Sequence, residues 1–454
     1  MSEERYYCTR PFEYAEIDKM GKSIFPCCPA MVNRYSYGDY SERTFEDIWN
    51  GKEAQDMRQS IIDGSFKYCN ENSCPYLQSK TYCVKTLYDI EHNHHSSPEE
   101  GKIIADDIKN KRTVLDHGPH NLQLAYDQSC QLKCPSCRID VIMAKGVEKK
   151  RILELQERII EDMFPSARSL FITGSGDAFA SPIFRKLLQT LEKKDCPNLQ
   201  HMTLLTNGLL VKKYWDTLSD FAKSHIRCIS VSIDAGTKET YLKNRLGGKW
   251  EDLLENLEFI KGLVSSGAIK CMTTNMVVQE NNFTEIKEFV RLTESYLGKA
   301  VLLQILEPDF MFAYGTEAFE NWKKKAVHEK DHPRHQELLD IIKDDWFEPF
   351  IQNSINDTYG ETQINMGPLY DLRNGRDISQ AEGVAQEFQN WDSNKYSFNI
   401  PATQKDVFYN DQTYIVERED VIKVNGTDSF VLSNGIQVIW DEDEYQWVNI
   451  RNKK

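Results

Sequence analysis

The segment NLQLAYDQSCQLKCPSCR, residues 121–138, decides how the rest of the chain is read. It opens on an apolar alternation from Asn121 to Tyr126, the pattern of a short strand. It then sets Cys130, Cys134 and Cys137 at C-x3-C-x2-C spacing. Three thiolates on one short loop can hold three corners of an iron–sulfur cluster. Structural zinc usually takes four ligands, commonly as separated pairs. No fourth Cys or His lies nearby to complete such a set. A three-thiolate loop leaves one iron open to a substrate or cofactor. The alternative is a zinc loop or a group of buried free thiols.

Outward from this loop, strand-like and helix-like stretches alternate. Strands are expected at 121–126, 169–173, 201–207, 227–234, 270–278 and 301–306. Helices are expected near 148–163, 182–194, 211–225, 251–265 and 284–296. Each of the first five strands is followed by a helix, which implies parallel β/α units. Spacing alone shows only this alternation, because an open doubly wound sheet would alternate in the same way. In either form, ligands collect at the C-terminal ends of the strands.

The cysteine loop and its place after the first strand resemble the signature of the radical S-adenosylmethionine (radical SAM) superfamily. The resemblance implies an α/β fold, a partial (β/α)6 TIM-like barrel. It further implies that Cys130, Cys134 and Cys137 bind a 4Fe–4S cluster whose fourth iron chelates the methionine amino and carboxylate groups of SAM. The residue before the last cysteine is usually aromatic in that family; here it is Ser136.

Other family-like segments fall at the strand ends. Gly174, Ser175, Gly176 and Asp177 are similar to the glycine–glycine–glutamate segment that holds the SAM amino group, with Asp177 one methylene shorter. A plain glycine-rich turn is the alternative. Thr206-Asn207-Gly208 resembles a common turn of the family. By the same resemblance, Ser232 and Arg245 contact the SAM carboxylate and Asp234 bonds a ribose hydroxyl; an arginine fork suits a carboxylate. Asn275, Val277 and Gln279 share one face of the fifth strand and could line the adenine site.

Six further cysteines lie near the N-terminus: Cys8, Cys27, Cys28, Cys69, Cys74 and Cys83. Over about 70 residues the pattern of a leading Cys, a Gly turn, Pro-Cys-Cys, an Ile-Trp-Asn helix and a closing cysteine pair resembles the SPASM and twitch auxiliary-cluster modules, which commonly follow the barrel rather than precede it. Four thiolates complete one cubane cluster. The expected ligands are Cys8, Cys27, Cys69 and Cys74, with Cys28 as an alternate to Cys27 and Cys83 as a spare. Six thiols are too few for two fully ligated clusters, so one auxiliary 4Fe–4S cluster is expected beside the SAM cluster. A zinc ribbon is the structural alternative.

The expected domains are 1–85 (auxiliary cluster), 86–118 (linker), 119–310 (radical SAM core) and 311–454 (a C-terminal, partly β extension). His92, His94 and His95 stand in a polar run beside Ser-Ser-Pro and read as solvated linker. Residues 340–400 are polar, and residues 405–450 carry short alternating runs.

Composition bounds the function. Lys plus Arg is 55 and Asp plus Glu is 70, a net charge of −15, which argues against a protein devoted to phosphate backbones. No nucleic-acid partner is expected. The hydrophobic fraction is 40%, enough for a sizeable core, so whole-chain disorder is excluded. No uncharged apolar run reaches ~18 residues, so no membrane span is expected. A cytoplasmic, reducing setting is expected, where twelve cysteines read as metal ligands or catalytic thiols.

The family resemblance implies reductive cleavage of SAM to a 5′-deoxyadenosyl radical, which abstracts hydrogen from an unactivated C–H bond. A one-electron donor such as flavodoxin or ferredoxin is implied. The outcome would be oxidation if the auxiliary cluster takes an electron. It would be epimerisation if a thiol returns hydrogen, with Cys271, Cys228 and Cys196 as candidate donors. No leader-peptide-binding domain is evident before Cys8, so a carbohydrate-like or other small-molecule substrate is expected over a ribosomal peptide or protein side chain. The competing class is a non-catalytic zinc-binding interaction protein.

Overall fold

The computed structural model describes residues 5–381 apart from 19–20, 33–34, 72–73, 95–96, 139, 307–316 and 356–362, together with six strands between residues 404 and 449. Its first eleven strands are β1 (Tyr6–Cys8), β2 (Tyr14–Asp18), β3 (Ser23–Phe25), β4 (Val84–Thr86), β5 (Asn121–Ala125), β6 (Ser169–Ile172), β7 (His201–Thr206), β8 (Ile226–Ser232), β9 (Cys271–Val278), β10 (Gly298–Ile305) and β11 (Gln363–Asn365).

Strands β5 to β10 are the six predicted from the alternation. They pair in sequence order and in parallel. One face alternates Leu122, Leu124, Leu170, Ile172, Met202, Leu204, Ile229 and Val231, all buried against helices such as Gly146–Asp162 and Pro182–Thr190. The period of two sends Gln123, Thr203, Ser230, Ser232, Thr273 and Asn275 to the other, inner face. The result is an open, partial β/α barrel with an inner face rich in hydroxyl and amide groups.

The expected helix over 211–225 is broken. Val211–Tyr214 passes into a short 3-10 turn, and Ser219 caps a new helix, Asp220–His225, by accepting a hydrogen bond from Ala222 N. A Ser at that position competes with the helix for its own backbone, which explains the break.

The barrel sheet does not stop at β5. β2 pairs with it in parallel and β3 pairs with β2, so the order is β11-β10-β9-β8-β7-β6-β5-β2-β3. The cysteine-rich segment is thus built onto the open edge of the barrel sheet, which covers an otherwise exposed strand edge. At the other edge β11 adds in parallel to β10. The parallel pattern therefore runs beyond residue 311, where the sequence suggested that it ended.

The stretch expected to be a linker is also folded. Helices Leu87–His92 and Pro98–Lys109 bury Ile90, Ile104, Ala105 and Ile108 in the main core. They meet so closely that a Cβ on Gly101 would lie 2.1 Å from Ile90 O. Ser97-Pro98-Glu99-Glu100 is a helix start. The Ser97 hydroxyl accepts from Glu100 N, and proline sits in the first turn. His94 is buried beside Glu13 at 3.3 Å, not solvated, whereas His92 is exposed and His95 lies outside the described residues. Trp49 Nε1 donates to His117 O at 2.7 Å, and the buried Arg58 donates to Pro11 O and Thr113 O. The contacts to Thr113 and His117 fasten the N-terminal segment to the stretch that follows this helical pair.

Near the C-terminus, Gln404–Tyr409 pairs with Gln412–Glu417. Four more strands, from Ile422–Val424 to Gln446–Asn449, form an antiparallel sheet, as the alternating runs suggest.

One buried acid on β2 gives the fold a pH dependence. Burial pushes the Glu16 carboxyl up to about 7, against the hydrogen bond it accepts from Tyr14 Oη at 2.9 Å. Its contribution to stability is full below the ordinary carboxylate range and is lost as pH rises through about 7. Glu16→Gln should therefore raise the thermal midpoint at pH 8.5, by the equivalent of roughly 1–3 kcal/mol, and change it little at pH 5. Equal shifts at the two pH values would contradict this account.

Candidate functional site

The cysteine loop leaves the C-terminal end of β5 and is tied down at several points. Cys130 N donates to Ile142 O at 2.7 Å, and Cys137 N donates to Cys134 O at 2.9 Å. Asp127, buried at the head of the loop, accepts from Ser129 N and from the hydroxyls of Ser129 and Ser181. Cys130 and Cys134 are buried around Leu132, and Cys137 is exposed.

Each of the three sulfurs faces N–H donors. Leu132 N and Asn207 Nδ2 approach the Cys130 sulfur at 3.5 and 3.7 Å. Arg245 Nη1 lies 3.7 Å from the Cys134 sulfur. Arg138 Nε and Nη2 both lie 3.4 Å from the Cys137 sulfur. Burial pushes the Cys130 thiol up to about 11 and raises Cys134 against the pull of Arg245. Donors and guanidinium groups aimed at sulfur favour the thiolate, the form that ligates metal.

The second strand end meets this loop closely. A Cβ on Gly176 would lie 2.5 Å from Asp127 O and 2.9 Å from Ser129 O, so only glycine fits there. Ser175 Oγ donates to Ala125 O, and Ser175 O accepts from Arg138 Nη2 at 2.7 Å. Arg138 thus clamps the thiol loop to the glycine turn.

Asp177 departs from the sequence expectation. Its Oδ1 accepts from Phe179 N and Ala180 N, and its Oδ2 accepts from Thr206 Oγ1 and Asn207 N. Burial raises its carboxyl, and these donors hold it back. Both oxygens are spent on the β6 turn and the end of β7, and the exposed Gly174 and half-buried Ser175 are the more open part of the segment.

The remaining predicted residues come together at the ends of β8 and β9. Asp234, at a left-handed φ of 58°, pairs with Arg245 Nη2 at 2.8 Å and accepts from Val277 N at 2.8 Å. Asn275 Nδ2 donates to Ser230 Oγ and approaches Ser232 Oγ at 3.4 Å. Arg245 Nε and Asn275 Oδ1 are buried without a hydrogen-bond partner. A donor and an acceptor left open at the strand ends suit a polar ligand. Gln279 instead closes a turn with Asn282. Beyond β10, Trp322 Nε1 donates to Leu306 O, and Phe319, Trp322 and Ala326 cluster with Val277, so helix Glu317–Lys325 caps this end of the barrel.

The three scattered cysteines lie elsewhere. Cys228 and Cys271 face each other at the N-terminal ends of β8 and β9, four residues or roughly 13 Å below Ser232 and Asn275. Cys196 is fully buried against Phe164 O.

The N-terminal thiols converge. Cys74 and Cys83 are buried together with Cys8 and Cys69 against them, and Cys27 interacts with both Cys83 and Cys74. Cys28 is exposed, so Cys27 is the inward member of the adjacent pair. Cys83, read from sequence as a spare, sits inside the set: its sulfur is 3.9 Å from that of Cys8. Spacing gave no sign of this, because β1–β4 pairing brings residues 75 apart in sequence to one place. Arg10, stacked 4.2 Å over Tyr14, carries a guanidinium beside Cys27 and Cys83.

Residues 128–293 match the radical SAM superfamily, and residues 8–75 match SPASM, an iron–sulfur cluster-binding domain. The chain thus carries a radical SAM domain and, ahead of it, a SPASM domain. The GTP 3',8-cyclase of Alkaliphilus metalliredigens (strain QYMF) is 30% identical over 177 residues, 38% of this chain and 52% of that protein. That of Peptoclostridium acidaminophilum is 27% identical over 197 residues, 41% of this chain and 56% of that protein. The chain spans about half the length of the curated relatives it matches. Among solved structures, anSMEcpe with bound AdoMet is 18% identical, with 57% of this chain and 67% of that one covered and a TM-score of 0.38. Streptococcus suis SuiB bound to S-adenosylmethionine is 13% identical, with 60% and 57% covered and a TM-score of 0.35.

A radical SAM domain with a SPASM domain carries SAM and two 4Fe–4S clusters. The residues present fit these groups. The Cys130 loop offers three donor-flanked sulfurs, with the orphaned Arg245 Nε and Asn275 Oδ1 at the neighbouring strand ends. The N-terminal pocket offers five converging thiols. Among the described residues, no three Cys, His, Asp or Glu side chains close on one point as a single ion requires. No helix there is long and apolar enough to cross a membrane.

Asp177→Asn replaces one acceptor oxygen by an NH2 group facing two donors. It should lower stability by about 2–4 kcal/mol, read as a fall in thermal midpoint. A variant as stable as the parent but weak in SAM binding would instead make Asp177 a ligand.

Proposed function

We propose that this radical SAM enzyme abstracts hydrogen from a small, polyhydroxylated substrate and completes a net oxidation. When bound beside the Cys130 loop, SAM and its cluster would supply radical chemistry able to take hydrogen from an otherwise unreactive C–H bond. An auxiliary cluster held by the N-terminal thiols would supply an electron acceptor. The chain's own residues bind, orient and exclude water. Cys130, Cys134 and Cys137 hold the SAM cluster, with Arg138 and Arg245 as neighbouring positive charge. Gly174, Ser175, Gly176 and Asn207 shape the wall around the methionine end. Ser232, Asp234, Arg245, Asn275 and Val277 form the opposite wall, where Arg245 offers its free Nε and Asn275 its free Oδ1.

The observation that carries the choice of oxidation is the position of the thiols. Epimerisation needs a hydrogen donor beside the substrate. Cys228 and Cys271 lie at the far ends of their strands, and Cys196 lies buried behind the sheet. Among the described residues, the barrel mouth presents no cysteine beyond the three of the loop. The small-molecule reading is supported by the hydroxyl and amide groups of the inner face and by relatives named for a reaction on GTP. A one-electron protein donor is the expected partner.

Anaerobic reconstitution tests this reading. The parent should hold about eight irons and form 5′-deoxyadenosine under reduction. Joint Ala replacement of Cys130, Cys134 and Cys137 should leave about four irons and no deoxyadenosine. Deuterium from the true substrate should appear in deoxyadenosine, and the product should be two electrons more oxidised. A product of unchanged oxidation state that carries solvent deuterium would refute the oxidation reading.

A further inference from the structure

The N-terminal pocket holds one sulfur more than a cubane can use. Each iron of a cubane keeps one position for a protein ligand, so four thiolates fill the cluster. Five cysteines converge here, and Cys83 is the one with which each of the other four interacts. It is also well buried, at 2% exposure, while Cys8 beside it is half-buried. The two are locked side by side by backbone: β1 and β4 run antiparallel with Cys8 opposite Val84, and Thr9 N donates to Cys83 O at 2.9 Å.

Their separation carries the argument. The two sulfurs stand 3.9 Å apart. Two thiolates on one tetrahedral metal, each at a bond length of about 2.3 Å, stand roughly 3.8 Å apart. Ligands on two different irons of a cubane stand much farther apart. Cys8 and Cys83 are therefore placed to reach the same iron, and a cubane iron accepts only one of them. We infer that Cys8 and Cys83 are alternative ligands to a single corner of the auxiliary cluster, with Cys27, Cys69 and Cys74 holding the other three. Whichever of the pair is not bound stays at hydrogen-bond distance from the bound sulfur. The Arg10 guanidinium beside Cys27 and Cys83 adds positive charge on the same side of the pocket.

This inference rests on the auxiliary-cluster reading, and the test separates the two. The background is the full chain with Cys130, Cys134 and Cys137 replaced by Ala, so that only the N-terminal cluster remains. Iron and sulfide are counted after anaerobic reconstitution, and the reduced protein is examined by electron paramagnetic resonance. The background should hold about four irons. Cys8→Ala and Cys83→Ala should each retain about four irons, with g values that differ from each other. The double variant should lose at least half of the iron, as should Cys69→Ala alone. Circular dichroism of each variant checks that the chain remains folded. Loss of the cluster in Cys8→Ala alone, with Cys83→Ala spectroscopically identical to the background, would overturn the shared corner. A background that takes up no iron and sulfide would overturn the auxiliary-cluster reading itself.

Discussion

The barrel mouth depends on buried carboxylates at the ends of its strands. Asp127, Asp177 and Asp234 follow β5, β6 and β8, and each is almost wholly removed from water. A buried carboxylate is costly unless its lone pairs are filled. Each of these is filled by donors from a neighbouring loop: Asp127 by Ser129 and Ser181, Asp177 by the β6 turn and Asn207, Asp234 by Arg245 and Val277. The ends of β5 and β6, of β6 and β7, and of β8 and β9 are thereby held together. The thiol loop, which has no regular structure of its own, takes its shape from this girdle.

Fixing the loop in this way has a chemical consequence. Cluster assembly needs sulfurs that can converge without a large rearrangement, and the donors around Cys130, Cys134 and Cys137 are held in position by the strand ends. Arg138 and Arg245 serve twice, since each neighbours a sulfur of the loop and also ties the loop to another strand end. The same economy appears in the N-terminal pocket, where the β1–β4 ladder that shapes the fold also sets the Cys8–Cys83 pair.

The auxiliary segment is not an independent bead. β2 continues the barrel sheet, and helix Pro98–Lys109 packs its apolar side into the common core. The N-terminal segment is thus joined through β2 to β5, the strand that leads into the Cys130 loop. With the module ahead of the barrel in sequence, edge pairing of β2 with β5 is a short route to a rigid connection between the two thiol sites.

Much of the fold was legible in the chain itself. Six strands separated by helical stretches implied parallel β/α units, and C-x3-C-x2-C after the first strand marked the cysteine loop, because both signals are local. The Ser-Pro-Glu-Glu start of helix Pro98–Lys109 was equally local and was masked by the polar histidine run before it. Contacts between distant residues were not legible. Nothing in spacing says that Cys83 meets Cys8, that Asp177 spends both oxygens on Thr206, Asn207 and its own turn, or that Cys228 and Cys271 lie at the N-terminal ends of their strands. Sequence determines which residues can form a strand or a ligand loop, because that follows from periodicity over a few positions. Tertiary structure alone decides which lone pairs and thiols remain open, because that depends on what the fold brings against them.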